Sequence, residues 1–200
     1  MRTGFRVRNL GKVRRSERTS RCYIFAEAKG SVRVELFQGM EEVEMCIGDY
    51  LTEQRIDFER LPHPPAYSAQ KRAKYLRLPG EQVTKSVLLS GPNGYLLAVL
   101  PATHQVDTRA VAAHVGGPVY VAEDREIAGV FPDCEWGVVP PFGARYGLTT
   151  LLDDGIASDM RIVLETHSQF EAVRLLCRDF ERMEHPRRLS FARRSPSRDR

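Results

Sequence analysis

The sequence lacks the features that would indicate a metal-binding, redox or membrane protein. Its four cysteines, at positions 22, 46, 134 and 177, are widely separated, so no paired spacing suggests a zinc site or a redox motif. No apolar run approaches the roughly 20 residues that a membrane-spanning helix needs. The Arg-rich start also lacks the apolar segment of a secretory signal. We therefore expect a cytoplasmic protein with reduced thiols, and no metal, cofactor or membrane partner.

Motifs of several enzyme classes are also missing. The sequence has no phosphate-binding P-loop, no Gly-x-Ser-x-Gly nucleophile elbow and no His-Glu-x-x-His motif. None of its five histidines has a serine or cysteine nearby in a pattern that indicates a catalytic triad. A catalytic site in this chain would therefore depend on other groups, such as backbone donors and a lysine.

The charge of the chain is unevenly distributed. The net charge of +4 over 200 residues is the balance of ten basic and three acidic residues in 1–39, fourteen and twenty-two in 40–184, and six and one in 185–200. Basic ends on an acidic body are typical of nucleic-acid binding, because Lys and Arg near phosphates release condensed counterions. The same composition also suits tails that are merely solubilising or disordered.

The length and this charge pattern predict one globular domain with basic ends. We expect a partly disordered basic extension at 1–39 with a possible hairpin at 22–37, a domain at 40–186, and a basic tail at 187–200. Met40 could itself start the domain, so residues 1–39 are either a functional extension or an over-called reading frame.

The stretch 84–101 predicts a central β-hairpin. Two apolar runs of strand length flank Gly91-Pro-Asn-Gly94, whose glycines and Asn tolerate the positive φ that a chain reversal needs. Lys85 stands at the start of the first run, where an ammonium must find an anionic partner or reach solvent. A phosphate would be such a partner, and a side chain extended to water is the alternative.

The remaining patterns predict an α/β fold of the α+β type. We expect a single domain with a mixed, curved, partly barrel-like sheet of about seven strands surrounded by helices. The predicted helices are 41–54, 68–76, 107–114 and 123–131. The predicted strands are 55–61, 83–89, 95–101, 119–122, 148–152, 161–165 and 170–176, although periodicity alone also allows a helix at the last of these.

Several of these stretches resemble one family. Lys85-Ser-Val-Leu-Leu, Leu97-Ala-Val-Leu-Pro-Ala102 and Val106-Asp107 resemble the YbaK-like, prolyl-tRNA editing-domain family of aminoacyl-tRNA deacylases. His63-Pro-Pro-Ala-Tyr-Ser-Ala-Gln70 is similar to another family signature, with Lys71 where an acid is more usual. Gly137, followed four residues later by Pro141, matches its Gly-x-x-x-Pro loop. The resemblance runs from about Val43 to Phe191.

The resemblance implies a trans-acting deacylase that hydrolyses the ester of a mischarged tRNA without a metal. Its partners would be the aminoacylated 3′ end of tRNA and an aminoacyl-tRNA synthetase. Lys85 and Gly137 would be catalytic: Lys85 would contact the terminal phosphate or ribose, and Gly137 to Pro141 would receive the aminoacyl carbonyl. The other substrate-binding residues implied are His63, Tyr67, Val138, Val139, Pro140, Phe142, Gly143, Asp153, His167, Ser168 and Gln169.

One departure from the family keeps a second function open. Relatives often show Gly-Ser-His before the last predicted strand, whereas this chain has His167-Ser168-Gln169. The usual histidine position therefore holds Gln169. The alternative hypothesis is a catalytically silent member of the same fold that binds tRNA or a protein.

Overall fold

The computed structural model describes residues 47–195, so the possible hairpin at 22–37 and the first part of the helix predicted from Glu41 lie outside the described residues. Helices α1–α5 span Ile47–Glu53, Ala69–Leu76, Thr108–Val115, Asp124–Val130 and Cys177–Glu184. Strands β1–β10 span Phe58–Pro62, Thr84–Gly91, Gly94–Pro101, His104–Val106, Tyr120–Val121, Thr149–Asp153, Arg161–Glu165, Glu171–Leu176, Arg187–Leu189 and Ala192–Arg194. A short 3-10 helix covers Gly143–Tyr146.

Local capping sets the helix boundaries as the sequence predicts. Ser68 accepts a hydrogen bond from the Lys71 backbone at the start of α2, and Asp107 accepts from Arg109 and Ala110 at the start of α3. Side-chain oxygens at these positions satisfy backbone N–H groups that lack a partner within the helix. α3 ends at Gly116, whose φ of 77° is the left-handed conformation that glycine adopts without strain.

The central hairpin is confirmed. β2 and β3 pair antiparallel from Thr84 opposite Pro101 to Gly91 opposite Gly94, with two residues in the turn. Gly94 has a φ of 108°, so the chain reverses where the Gly-Pro-Asn-Gly pattern predicted. Alternation along β2 places Val83, Lys85 and Val87 on one face, and Ser86 and Leu88 on the other.

The mixed α/β architecture is confirmed, but the described residues form three sheets rather than one. Their strand orders are β5-β2-β3-β6-β9, β1-β8-β7 and β10-β4. β7 meets the start of β2 only through a parallel bridge between Val83 and Val163, and β5 pairs with the other end of β2 at Leu89 and Ser90. No closed sheet forms among residues 47–195, so the barrel-like closure that we expected is absent there. None of the helices in this range is long and apolar enough to cross a membrane.

Part of the expected C-terminal tail is folded. β9 pairs with β6, and β10 pairs with β4. Between them Phe191 is only 2% exposed and packs in the core beside α3. Asp153 accepts hydrogen bonds from the backbone of Phe191 at 3.0 Å and of Ala192 at 2.7 Å. These two strands have three residues each, which is too short to show a periodic apolar pattern.

Candidate functional site

The loop around Gly137, residues 133–141, is called the Gly137 loop here. It contains a turn in which one backbone N–H group has no hydrogen-bond acceptor in the described part of the chain. The Val138 N–H donates to the Glu135 carbonyl at 3.0 Å, and Gly137 between them is exposed with a φ of 78°. The Val139 N–H hydrogen-bonds the buried carboxylate of Glu165. Positions 140 and 141 are prolines and have no N–H. Within 137–141 the Gly137 N–H is therefore the one donor without an acceptor among the described residues.

The segment at 167–169 holds this turn in place. The Glu135 N–H donates to the His167 carbonyl at 2.9 Å. The Glu135 carboxylate in turn accepts from the Ser168 hydroxyl at 3.0 Å and from the Gln169 N–H at 2.7 Å. The Gln169 side-chain amide donates to the Trp136 carbonyl at 2.9 Å. The structure thus brings the predicted residues 167–169 against the Gly137 loop, and Gln169 bonds to the loop backbone.

His63 lies next to the same segment. Its N–H donates to the Phe170 carbonyl at 2.8 Å, and the Ala66 N–H donates to the Gln169 carbonyl at 3.0 Å. His63 is 8% exposed, with its ring Nδ1 at 2.8 Å from the Pro64 carbonyl and Nε2 buried without a partner among the described residues. Burial lowers the pKa of His63. The ring is therefore neutral near pH 7, with Nδ1 donating and Nε2 an unused acceptor.

A buried ion pair supports the loop from α2. Arg72 is 1% exposed, and its Nη2 contacts Glu165 Oε1, while its Nε and Nη1 have no partner in the described chain. Burial raises the pKa of Glu165, and Arg72 and the Val139 N–H act against this rise. Contacts therefore run from α2 through Glu165 to the backbone two residues after Gly137. Both residues were missed by the sequence analysis, because a helical arginine and a strand-end glutamate show no local sign of pairing.

Lys85 is a half-buried cation whose side chain points to the same side as that of Glu165. Lys85 lies two residues after Val83, and Glu165 lies two residues after Val163 on β7, so both side chains share the face of the paired residues Val83 and Val163. Burial lowers the pKa of the Lys85 ammonium, and no described residue forms an ion pair or hydrogen bond with it. Lys85 thus lacks the anionic partner that a buried ammonium needs.

A shallow, mainly apolar cavity lies on the α4 side of the loop. Its lining residues are Ile127, Ala128, Phe131, Pro132, Cys134, Glu135, Trp136, Gly137 and Val138. Trp136, one of these lining residues, is 68% exposed. The Gly137 N–H therefore belongs to a residue that borders a small apolar space.

Two other predicted site residues, Phe142 and Gly143, lie in the packed interior. Phe142 is fully buried, with its ring centroid 6.0 Å from that of Tyr50 and 6.2 Å from that of Phe180. A Cβ on Gly143 would lie 2.3 Å from the Thr150 hydroxyl, so this glycine permits close packing on β6. The structure thus places Phe142, which the resemblance implies as a substrate-binding residue, in the core.

The remaining predicted residues divide between surface and interior. Tyr67 is 74% exposed, and its ring lies 5.4 Å from the Lys71 ammonium. Val138, Val139, Pro140 and Pro141 are buried. Asp153 is also buried, and its carboxylate accepts the N–H groups of Gly155, Phe191 and Ala192.

His167 belongs to a polar cluster at the start of the loop. Its Nε2 lies 3.3 Å from Asp133 Oδ2 and 3.2 Å from the Tyr146 hydroxyl oxygen. The Tyr146 hydroxyl donates to Asp133 at 3.0 Å and lies 3.6 Å from the Cys134 sulfur. Burial raises the pKa of Cys134 to about 12, so its thiol is protonated near pH 7 and is not a nucleophile.

Comparison with protein families and solved structures relates most of the chain to aminoacyl-tRNA editing domains. Residues 63–183 match the family described as the aminoacyl-tRNA editing domain. A similar structure, described as a candidate trans-editing enzyme for prolyl-tRNA synthetase, shares 17% identity with a TM-score of 0.65, and the match covers 78% of this chain and 99% of that one. No curated protein shows a significant match.

Two further structures share the fold. A hypothetical protein, APE2540, has 13% identity and a TM-score of 0.68, with 74% of this chain and 99% of that one covered. A protein from Marinobacter aquaeolei VT8, described as a candidate for signal transduction, has 18% identity and a TM-score of 0.57, with 73% and 30% covered. At such identities the likeness concerns the fold, and these descriptions differ.

Proposed function

Because the chain belongs to the aminoacyl-tRNA editing domain family, we propose that it is a trans-acting deacylase that hydrolyses the ester of a mischarged aminoacyl-tRNA. The observation that carries this proposal is the unused Gly137 N–H at the border of a small apolar cavity. Synthetases discriminate weakly between small apolar side chains, so a second site is needed to remove the errors.

In this proposal the Gly137 N–H donates to the carbonyl oxygen of the ester. The aminoacyl side chain would then lie against the apolar residues of the cavity, such as Phe131 and Val138. Water adds to the carbonyl carbon, the bond to the ribose oxygen breaks, and that oxygen takes the proton. A donor already aimed at the oxygen stabilises the negative charge that develops there.

In this proposal the Lys85 ammonium contacts the terminal phosphate or ribose of the tRNA. It is half-buried without an anionic partner in the described chain, so a phosphate would supply the missing counter-charge. An aminoacyl ester is activated, so oriented water, charge stabilisation and the substrate's own hydroxyl suffice for its hydrolysis.

Arg72 and Glu165 position the catalytic turn in this mechanism. The carboxylate holds the Val139 N–H, and the guanidinium holds the carboxylate. The Gly137 N–H therefore keeps its direction without touching these side chains. His63 contributes to the segment that holds this turn, because its N–H donates to the Phe170 carbonyl, and the Ala66 N–H donates to the Gln169 carbonyl.

A panel of labelled, mischarged tRNAs tests the proposal directly. We expect the protein to release the amino acid from at least one of them faster than the buffer does. Gly137→Ala should slow release on the order of 10- to 10²-fold, because the added Cβ strains a φ of 78° and moves the donor. Gly147→Ala is the matched control, since Gly147 has a φ of 67° and open space around it but does not border the cavity.

The second candidate function is binding of tRNA or of a protein, without catalysis, by a member of the same fold. The Gln169 side chain favours it, because this residue replaces the histidine of many relatives and is bonded to the Trp136 carbonyl. Binding of tRNA without turnover of any member of the panel would support this alternative and exclude the deacylase.

A further inference from the structure

We propose that Asp133, Cys134 and His167, with the Tyr146 hydroxyl at a fourth vertex, form a zinc site that fastens the start of the Gly137 loop to the segment after β7. One carboxylate oxygen, the sulfur and one imidazole nitrogen of the first three residues lie within 4.8 Å of one another. Cys134 also lines the cavity beside Gly137, but metal binding at this site does not depend on the proposed deacylation.

The distances are those of a tetrahedral site. Zinc bonds of about 2.0–2.3 Å give ligand-to-ligand distances of about 3.3–3.7 Å. His167 Nε2 lies 3.3 Å from Asp133 Oδ2, and the Cys134 sulfur lies 3.7 Å from Asp133 Oδ1. The Tyr146 oxygen lies 3.0 Å from Asp133, 3.2 Å from His167 and 3.6 Å from Cys134. With either single oxygen of Asp133 as the ligand, four of the six edges of the tetrahedron therefore measure between 3.0 and 3.7 Å, close to the values that zinc requires.

The donor atoms also suit this metal. Thiolate sulfur, imidazole nitrogen and carboxylate oxygen are the three ligand types that zinc binds in proteins. When the metal binds, the S–H bond of Cys134 breaks, a Zn–S bond forms, and the proton goes to solvent, whereas the Tyr146 hydroxyl keeps its proton and binds through an oxygen lone pair. Asp133 has 35% of its side chain exposed, so an ion can enter from the surface.

The position of the site gives it a structural role. His167 and Cys134 lie on the two segments that the Glu135 N–H joins by its bond to the His167 carbonyl. A metal held by both would strengthen this connection two to three residues before Gly137. Four protein groups around one ion leave no open position for a substrate, which is typical of structural zinc.

Cobalt titration of the metal-free full-length protein tests the site. Co²⁺ replaces Zn²⁺ in such sites and gives visible bands of tetrahedral geometry and a near-ultraviolet band from thiolate ligation. We expect both bands, their loss when Zn²⁺ is added in stoichiometric amount, and a higher melting temperature with Zn²⁺. These spectra do not depend on deacylase activity, so either proposal can fail without the other.

Variants identify the ligands. Cys134→Ser should remove the thiolate band, and His167→Ala should weaken Co²⁺ binding at least tenfold. Cys177→Ser is the control, since Cys177 is the other free cysteine of the described residues and is buried away from solvent. Circular dichroism of each variant checks the fold. If the folded parent protein gives no tetrahedral spectrum, or if Cys134→Ser gives the parent spectrum, the four groups form only a hydrogen-bonded network and the proposal is wrong.

Discussion

At the scale of single residues, Lys85 is the side chain whose surroundings favour an anionic ligand. Removing its charge should not cost stability, because burial already lowers the pKa of the ammonium and so disfavours the charged form. We expect Lys85→Met to melt at or above the parent temperature. We also expect its deacylation rate to fall on the order of 10²-fold, because methionine cannot form a charge-assisted hydrogen bond to the phosphate in a water-poor site.

Two further variants separate charge from geometry. Lys85→Arg keeps the charge but changes reach and shape, so partial activity is expected. Lys74→Met is the control for removal of one lysine, since Lys74 is exposed on α2. Parent-level turnover by Lys85→Met would show that the catalytic centre lies elsewhere.

The Arg72–Glu165 pair is the second residue-scale feature. Arg72→Ala leaves a buried carboxylate without its counter-charge, so the free energy of unfolding should fall by about 3–5 kcal/mol. Chemical denaturation measures this change. The exposed pair Arg125–Glu123 is the control, and Arg125→Ala should cost only about 0–1 kcal/mol.

A double variant distinguishes stability from positioning. Arg72→Met with Glu165→Leu replaces the buried pair by apolar groups and should restore much of the stability. Deacylation should nevertheless stay low, because the Val139 N–H no longer has its acceptor. Full activity in the double variant would contradict the positioning role.

At the scale of elements, the C-terminal strands should be essential for folding. A chain ending after Pro186 loses β9, β10 and the buried Phe191, and a buried Phe alone is worth about 3–5 kcal/mol. We expect a strongly lowered melting temperature or no cooperative transition. A chain ending after Ser195 keeps both strands and should melt like the parent.

Point variants exclude a simple effect of chain length. Phe191→Ala should destabilise the protein, whereas Phe170→Ala, at a phenylalanine that is 53% exposed, should have little effect. Equal melting temperatures for the two truncated chains would mean that β9 and β10 contribute nothing to the fold.

At the scale of the whole molecule, the basic ends should add affinity for tRNA. Residues 1–21 carry eight Lys and Arg, and Arg193 and Arg194 are exposed on β10. Deleting 1–21, or changing both arginines to Gln, should weaken tRNA binding. The slope of log K against log salt should fall by about one unit for each phosphate that the protein no longer neutralises.

Arg125→Gln is the control, because the charge of Arg125 is already paired with Glu123 at 2.9 Å. Binding is measured as a function of salt for each protein, with the melting temperature as a check of folding. Affinity and slope equal to those of the parent would make the basic ends solubilising segments.

Helix ends and the central turn could be predicted from the sequence, because they depend on residues that are close neighbours in the chain. Ser68, Asp107 and Gly116 set helix ends through bonds within a few positions, and Gly-Pro-Asn-Gly set the central reversal through local φ preferences. The family resemblance placed Lys85, Gly137 and the segment 167–169 in one candidate site. Strands β9 and β10, which follow residue 186, were not predicted, because strands of three residues show no periodic apolar pattern.

Contacts between distant segments could not be predicted from the sequence and are visible only in the folded chain. Glu165 meets Arg72 and the Val139 backbone from distant parts of the chain, and His167 meets Asp133, Cys134 and Tyr146 in the same way. The folded structure also shows that Phe142 lies in the core and that the Gln169 side chain donates a hydrogen bond to the Trp136 carbonyl. Capping and turn formation act over one to four residues, whereas buried pairs and ligand clusters form only when packing brings distant segments together.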